Sequence, residues 1–175
     1  ITLIDGDKGL ENFNRTGDAN WRAEGGAIVA DKGKGGLLVS KQPYTNFMIY
    51  AEFYAETSTN SGIFIRAADP NKIGSSAGYE VNIWDSRADP SYGTGAIVNF
   101  ASVPVPIVYK AGGRWNTLEI YANGPQLSVK FNGDVTASIQ NNQFPQGYFA
   151  LQYGGGNSGA PGGPIKWRNV QIKPL

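Results

Sequence analysis

The sequence predicts an all-β protein in which two antiparallel sheets pack face to face as a jelly-roll sandwich. The chain has 24 Gly and 10 Pro among its 175 residues, so turns interrupt it often. Short segments in which apolar and polar residues alternate recur between turn signals, with a turn about every 8 to 12 residues. No segment shows the apolar period of about 3.6 residues that marks a helix.

Composition limits the size of the fold and the choice of partners. With 41% hydrophobic residues the chain can bury one sizeable core, and we expect residues 1–175 to form a single domain. The net charge is +1 and no basic run is present, so we expect no nucleic-acid partner. No apolar run reaches about 18 residues, so the sequence predicts no membrane span.

Two missing residue types narrow the chemistry. The chain has no Cys, which excludes disulfides, thiolate nucleophiles and cysteine-ligated zinc. It has no His, which excludes a Ser-His-Asp triad, a histidine base and most zinc or iron sites. Acid and base chemistry must therefore come from Asp, Glu, Lys, Tyr or water. Any metal would have to be a hard cation such as Ca²⁺ or Mg²⁺, held by oxygen ligands.

Alternation and turn residues place the predicted strands. In chain order we expect strands at 1–4, 27–29, 37–39, 46–56, 61–67, 78–84, 95–100, 115–121, 126–131, 135–139, 147–153 and 165–172. The pair Asn132-Gly133 is a strong hairpin signal between two of them. Val103–Pro106 is predicted to be extended but outside a sheet interior, because proline lacks the ladder N–H.

Two turn-rich segments resemble ligand loops only superficially. Asp5–Gly9 has alternate aspartates but lacks the downstream glutamate of a calcium loop, so we interpret it as a turn. Gly154–Pro164 is glycine-rich, but it has neither the Lys-Ser or Lys-Thr pair nor the following helix that a phosphate loop requires. A flexible hairpin connection is the better interpretation of this segment.

The segment Gly78–Asp85 carries the clearest functional pattern. As a strand it directs Glu80, Asn82 and Trp84 to one face, while its apolar residues face the core. A carboxylate and an amide can bind sugar hydroxyls, and a flat indole can pack on the apolar side of a pyranose. The loop that follows contains Tyr92 and is long enough to border such a site.

Two preceding strands are predicted to extend this surface. Residues 46–56 and 61–67 are joined by a short turn, which predicts antiparallel neighbours. We then expect Glu52, Arg66 and Glu80 to lie close enough to span one sugar ring. The alternative is that Arg66 only neutralises two surface carboxylates, which contributes little stability. The whole predicted surface consists of Tyr50, Glu52, Tyr54, Phe64, Arg66, Glu80, Asn82 and Trp84.

Several segments carry a family resemblance when they are taken in order. They are Asn60–Arg66, Gly78–Asp85, Thr94–Ile97, Arg114–Ile120, Phe131–Gly133, Ala150–Gln152 and Trp167–Ile172. Together they resemble the 3-keto-disaccharide hydrolase domain family over nearly the whole chain. Members of that family often carry Gln at the position of Asn82. They also often carry a His in the loop that here reads Ser86-Arg87-Ala88-Asp89.

The resemblance implies a concanavalin A-like jelly roll, of the lectin and glucanase type, in an exported bacterial protein whose signal peptide is not part of this chain. It also implies a small carbohydrate substrate, a glycoside oxidised at C3. A base removes the C2 hydrogen, the enolate expels the C1 substituent, and water adds back. This chemistry needs a base, a cationic stabiliser of the enolate oxygen and an acid. We assign the base role to Glu80 and the enolate-stabilising role to Arg66.

The remaining residues of the predicted site are assigned to substrate binding. Asn82 and Tyr79 are expected to contact the substrate directly. The other expected substrate-binding residues are Tyr50, Glu52, Tyr54, Phe64, Trp84, Asp85 and Tyr92. A competing assignment makes Glu80 and neighbouring oxygens the ligands of a divalent cation.

Other functions stay open at this point. Glu80-x-Asn82-x-x-Asp85 loosely resembles the Glu-x-Asp-x-x-Glu strand of laminarinase-like glucanases, in which two carboxylates about 5 Å apart perform retaining hydrolysis. Here Asn82 replaces the middle Asp, and Asp85 lies out of phase unless a bulge intervenes. A non-catalytic, lectin-like carbohydrate-binding module would present the same aromatic surface, whereas a purely structural sandwich would bind no sugar.

Overall fold

The computed structural model describes all 175 residues, of which 51% lie in strands and 5% in helix, so the predicted all-β class is confirmed. The strands are β1 Thr2–Asp5, β2 Phe13–Gly17, β3 Arg22–Glu24, β4 Ala27–Ala30, β5 Gly35–Ser40, β6 Phe47–Ala55, β7 Ser61–Ala67, β8 Tyr79–Ile83, β9 Arg114–Asn123, β10 Gln126–Phe131, β11 Asp134–Gln140, β12 Tyr148–Gly154 and β13 Ile165–Pro174. Short 3-10 helices occupy Leu10–Asn12, Pro90–Tyr92 and Asn157–Gly159. None of the helices is long and apolar enough to cross a membrane.

The strands form two antiparallel sheets. The eight-stranded sheet has the order β11-β10-β9-β6-β13-β4-β3, and β1 also pairs with β13. The five-stranded sheet has the order β2-β5-β12-β7-β8. This arrangement confirms the predicted two-sheet jelly-roll sandwich.

One apolar core fills the space between the sheets. It contains 32 buried residues contributed by both sheets. Burial alternates along β6 as its sequence predicts, with Phe47 and Phe53 buried and Tyr50 and Glu52 half-buried. Phe53 packs against Trp167 of β13 with 5.7 Å between ring centroids. Removing this apolar surface from water is the main force that holds the sheets together.

Most predicted strands are present, but their ends and a few assignments differ. The Asn132-Gly133 hairpin is confirmed, because both residues have the positive φ angles, 50° and 86°, that a two-residue type I′ turn requires. The strands β2 and β3 were not predicted. Gly95–Phe100, predicted as a strand, forms only isolated bridges at Ile97, since the positive φ of Asn99, 68°, turns the chain away.

The expected pairing of β6 with β7 is wrong. β6 lies between β9 and β13 in the eight-stranded sheet, whereas β7 lies between β12 and β8 in the other sheet. The connection between them crosses the end of the sandwich instead of making a hairpin. Thr59 holds this crossing: its hydroxyl accepts a hydrogen bond from Glu56 N at 2.8 Å and donates to Pro164 O at 2.7 Å.

Arg66 is a structural residue at the end of β7. Its φ of 54° is rare for a residue other than glycine and breaks the strand's alternation. Its side chain therefore turns towards the eight-stranded sheet, where Nε and Nη2 donate to Thr45 O at 3.0 and 2.7 Å. Nη1 donates to Gly124 O at 2.6 Å, and only 1% of the residue is exposed. The guanidinium thus ties the two sheets together.

Replacing Arg66 with lysine should lower the free energy of unfolding by about 2 kcal/mol, because one ammonium cannot reach both carbonyls and leaves a buried acceptor unpaired. Chemical unfolding of the two proteins measures the difference. The matched control is Arg15→Lys, since Arg15 is exposed and makes no side-chain hydrogen bond. Equal stability of the two variants would contradict the structural role of Arg66.

Candidate functional site

The outer face of the five-stranded sheet carries the candidate catalytic residue Glu80. A small apolar cluster of Val39, Phe64 and Ala150 lies on this face, separate from the main core. Cross-strand register places Val39 opposite Ala150, Ala150 opposite Phe64, and Phe64 opposite Glu80. Glu80 therefore stands at one edge of an apolar row, on the side of the sheet that faces away from the core.

Glu80 is a carboxylate without a partner in the protein. Its side chain is half-buried, yet it accepts no hydrogen bond and forms no ion pair within the chain. Burial raises the pKa of Glu80 to about 7, and the positive charge of Arg87 opposes part of that rise. Such a group exchanges a proton near neutral pH, which is the property that general-base catalysis requires.

Arg87 is the cation that acts on Glu80. Its Nη1 donates to Asp89 O at 3.0 Å and lies 3.7 Å from the Asp89 carboxylate. The guanidinium carbon lies 6.0 Å from the ring centroid of Tyr92, which adds a weak cation–π contact. Sequence reasoning did not name Arg87 as a site residue, although it identified this loop as the border of the site.

Asn82 and Asp85 hold the loop and are not free to contact a substrate, contrary to expectation. Asn82 is 1% exposed, and its Nδ2 donates to Tyr92 O at 2.8 Å. Asp85 accepts hydrogen bonds from Thr94 Oγ1 at 2.7 Å, from Ala111 N at 3.0 Å and from Gly112 N at 2.9 Å. Both side chains therefore fix the shape of the segment that carries Arg87 and Tyr92.

Tyr79 and Arg66 point to the other side of the sheet from Glu80. Tyr79 is fully buried in the core, and its hydroxyl donates to Asn141 Oδ1 at 2.5 Å. Arg66 is bonded to Thr45 and Gly124 of the facing sheet. The prediction that these two residues contact the substrate beside Glu80 is therefore wrong, and Arg66 cannot stabilise an enolate there.

The predicted residues of β6 lie on the opposite outer surface of the molecule. Glu52 accepts hydrogen bonds from Arg168 Nε at 2.7 Å, Tyr50 Oη at 3.0 Å and Asn169 Nδ2 at 3.2 Å. The Arg168 bond lowers the pKa of Glu52, so this carboxylate stays ionised and paired. Tyr54 packs edge-on against Trp115 in the same network. The expected cluster of Glu52, Arg66 and Glu80 does not form, because these residues belong to different surfaces.

Among the remaining predicted aromatic residues, Phe64 lies directly opposite Glu80 on the neighbouring strand. Phe64 is 4% exposed and forms the floor beside it. Trp84 follows β8 directly and is half-buried, with an indole N–H that is sealed from solvent and has no acceptor. Tyr92 is half-buried next to Arg87. Of the predicted set, the structure thus places Phe64 opposite Glu80, Tyr92 beside Arg87, and Trp84 directly after the end of β8.

The donor set near Glu80 does not fit a divalent cation. The chain contains no group of three or more acidic side chains placed to hold a metal ion. The charged group that acts on Glu80 is a guanidinium, and Asp85 spends its oxygens on Thr94, Ala111 and Gly112. We therefore derive no catalytic step through a metal.

A larger cleft lies elsewhere and contains no free carboxylate. It has a volume of ≈ 590 Å³ and lies between Asp31–Lys34 and the glycine-rich connection predicted as a flexible loop. Its one carboxylate, Asp31, is held by Arg22 at 3.1 Å and by Asn20 at 2.8 Å. Glu80 is not among its lining residues.

Known proteins share this fold. The model of the 3-keto-alpha-glucoside-1,2-lyase-like domain family matches residues 1–173, while no curated protein matches the chain. A candidate glycosyl hydrolase from Parabacteroides distasonis ATCC 8503 aligns with a TM-score of 0.71 and 21% identity over 100% of this chain and 98% of that chain. The carbohydrate-binding module CBM66 from Bacillus subtilis aligns with a TM-score of 0.62 and 12% identity over 97% and 96%. At these identities the structural likeness shows a common fold alone.

The unusual pKa of Glu80 predicts a specific dependence of stability on pH. The folded protein holds this proton with a pKa of about 7, above the ordinary value of 4.5, so wild-type stability falls as pH rises between these values. Glu80→Gln removes this loss. The free energy of unfolding of Glu80→Gln minus that of the wild type should therefore be about 2 kcal/mol more positive at pH 8 than at pH 4, after allowance for partial exposure. Urea unfolding at several pH values measures this.

The matched control is Glu52→Gln, for which the expected dependence of stability on pH has the opposite sign. Its carboxyl has a lowered pKa, so its stabilising contribution is present above the ordinary pKa and is lost as pH falls through the folded value. Glu52→Gln should therefore be less stable than wild type at pH 8, with a smaller difference in acid. A relative stability of Glu80→Gln that does not change with pH would contradict the buried, unpaired state of Glu80.

Proposed function

Because the chain belongs to the 3-keto-alpha-glucoside-1,2-lyase-like domain family, as its sequence motifs predicted, we propose that it cleaves glycosides oxidised at C3, with Glu80 as the base. One observation carries this proposal. Glu80 is a half-buried carboxylate with no partner in the chain and a pKa raised by burial to about 7, and the aromatic side chain of Phe64 lies opposite it. An ordinary surface carboxylate would be solvated or paired.

The proposed chemistry begins at the carbon next to the ketone. The C3 carbonyl acidifies the C2 hydrogen, and Glu80 takes that proton while the electron pair of the C–H bond forms an enolate. The enolate then expels the oxygen substituent at C1, which leaves a double bond between C1 and C2. The protonated Glu80 can return its proton to the leaving oxygen, so the base is regenerated. Water then adds across the double bond to give the free 3-keto sugar.

Arg87 is the residue best placed to stabilise the enolate. It is the cation whose charge acts on Glu80, and its guanidinium is held by Asp89 and lies beside Tyr92. A fixed positive charge near the C3 oxygen favours the enolate over the ketone, because the charge develops only as the proton leaves. Arg87 therefore takes the role that the sequence had assigned to Arg66.

The names of the structural relatives support a carbohydrate ligand. One is a candidate glycosyl hydrolase and another is a carbohydrate-binding module. A glucanase-like reaction has less support, because it needs a second free carboxylate about 5 Å from Glu80. Asp85, the predicted partner, is tied to Thr94, Ala111 and Gly112 instead. Export from a bacterial cell, which the family resemblance implied, stays a prediction.

A non-catalytic sugar-binding module is the second candidate function. The fold shared with the carbohydrate-binding module CBM66, together with the half-buried Trp84 and Tyr92, favours it. The two functions differ in what Glu80 does. In a binding module Glu80→Gln would weaken sugar affinity, and no 3-keto glycoside would be consumed. In the proposed enzyme the same change removes turnover more than affinity.

Glu80→Gln should lower kcat on a 3-keto disaccharide by at least about 100-fold, since general-base catalysis contributes roughly 10²–10⁴. In the wild type, kcat/KM should rise with pH through about 7 as Glu80 loses its proton. Product formation followed by chromatography, with and without a chelator, gives both quantities. Glu52→Gln, on the opposite surface, is the control. Wild-type turnover on Glu80→Gln would remove Glu80 from the mechanism.

Arg87→Met should lower kcat by about 100-fold or more, because loss of one preorganised group for a developing oxyanion costs on the order of 10²–10³. The midpoint of the pH–rate profile should also move upward, since Arg87 lowers the pKa of Glu80. Arg168→Met, on the eight-stranded sheet, tests for general effects of losing an arginine. An unchanged pH midpoint in Arg87→Met would show that Arg87 does not act on Glu80 in solution.

A further inference from the structure

The outer face of the eight-stranded sheet, on the other side of the sandwich from Glu80, has two adjoining depressions. Their volumes are ≈ 210 and ≈ 320 Å³, and Met48 of β6 and Glu119 of β9 line both of them. The larger one reaches the lower end of the roughly 300–1,000 Å³ that small-molecule sites occupy. Met48 is 41% exposed, although an outward strand position is usually polar. The two depressions thus form one open groove, which the proposed catalysis does not use.

Two tyrosine rings flank the residues that the depressions share. Tyr50 lies opposite Glu119 in the register of β6 with β9, and both side chains are half-buried. Tyr121 lies opposite Met48 in the same pairing, so the two tyrosines are diagonal neighbours, roughly 7–8 Å apart. The hydroxyl of Tyr121 accepts a hydrogen bond from Asn123 Nδ2 at 2.9 Å, which restricts its ring. A ligand in the groove can therefore contact two positioned aromatic rings.

The polar groups of the groove include both hydrogen-bond acceptors and donors. Glu119 makes no hydrogen bond or ion pair through its side chain, so its carboxylate is free to accept. Lys130 lies opposite Glu119 on β10, and Lys173 lines the groove from β13. One carboxylate between two ammonium groups gives no excess of negative charge, so the groove does not favour a cationic ligand. A neutral ligand with many hydroxyls can use the donors and the acceptor together.

The extent of the groove follows from its neighbours. Trp115 lies on the same face, but the guanidinium carbon of Arg168 lies 4.1 Å from its ring centroid, so this ring already has a partner. The groove itself runs from Lys173 on β13 across β6 and β9 to Ser128 on β10. These three strand steps cover roughly 14 Å at about 4.8 Å per step, which is longer than one sugar ring.

We propose that this groove is a second binding site, and that its ligand is a neutral oligosaccharide chain lying across β13, β6, β9 and β10. The rings of Tyr50 and Tyr121 pack on the apolar faces of the sugar rings. Glu119 and Lys130 form hydrogen bonds with the sugar hydroxyls. The site does not depend on the proposed catalysis, because it lies on the opposite outer surface from Glu80. A chain that is bound here leaves Glu80 accessible to a separate substrate.

The test is an NMR titration of the full chain with maltohexaose and with cellohexaose, which have no C3 ketone and require no turnover. Binding should shift the backbone amide signals of residues 48–50 and 119–121 and leave those of residues 79–83 unchanged. Tyr121→Ala should raise the dissociation constant about tenfold, because one aromatic contact contributes up to about that factor. Tyr121→Phe keeps the ring and should bind as the wild type does.

A second variant, Glu119→Leu, leaves both rings in place and should also raise the dissociation constant about tenfold, through the loss of a charged hydrogen-bond acceptor. The matched control is Tyr148→Ala, a half-buried tyrosine on the outer face of the five-stranded sheet, which should not change the affinity. Glu80→Gln should also keep it. Absence of shifts with both oligosaccharides, or wild-type affinity in both Tyr121→Ala and Glu119→Leu, would overturn the proposal. Turnover of a 3-keto disaccharide tests the proposed function separately, so either can fail without the other.

Discussion

The crossing of the chain between β6 and β7 places Glu52 and Glu80 on opposite outer surfaces of the sandwich. The buried Thr59 hydroxyl joins Glu56 N to Pro164 O, and Asn60 pairs with Gly154, so the chain passes from one sheet to the other here. The outward side chains of β6 therefore lie on one outer surface, and those of β7 and β8 lie on the other. The aromatic and acidic pattern of the sequence is therefore divided between two surfaces with different properties.

Glu52 and Glu80 show how strongly these surfaces differ. Both are half-buried glutamates on the outer face of a sheet. Glu52 is bonded by Arg168, Tyr50 and Asn169, and these partners lower its pKa. Glu80 has an apolar neighbour, Phe64, and no hydrogen-bond donor, so its pKa rises. Glu52 therefore stabilises the outer surface of the eight-stranded sheet, whereas Glu80 is available to take a proton from a ligand.

The sequence predicts the features that depend on local pattern and not those that depend on pairing. Alternation fixes which side of its own strand Glu80 occupies, and the Asn132-Gly133 turn follows from local φ preferences. Alternation does not show which strand lies beside another, so the partner of β6 could not be predicted from it. Arg66 was misplaced for a related reason: its positive φ lies at an irregularity between β7 and β12 that leaves no sequence signal.

Two polar residues near Glu80, Asn82 and Asp85, anchor the loop that follows β8. Asp85 accepts hydrogen bonds from three groups in the neighbouring segments, and Asn82 bonds the carbonyl of Tyr92. These bonds are buried or half-buried, so the loop cannot move without leaving a polar group unpaired. Arg87 lies within this fixed loop. The sequence predicted that these two side chains contact a substrate, whereas in the structure they hold the loop that carries Arg87.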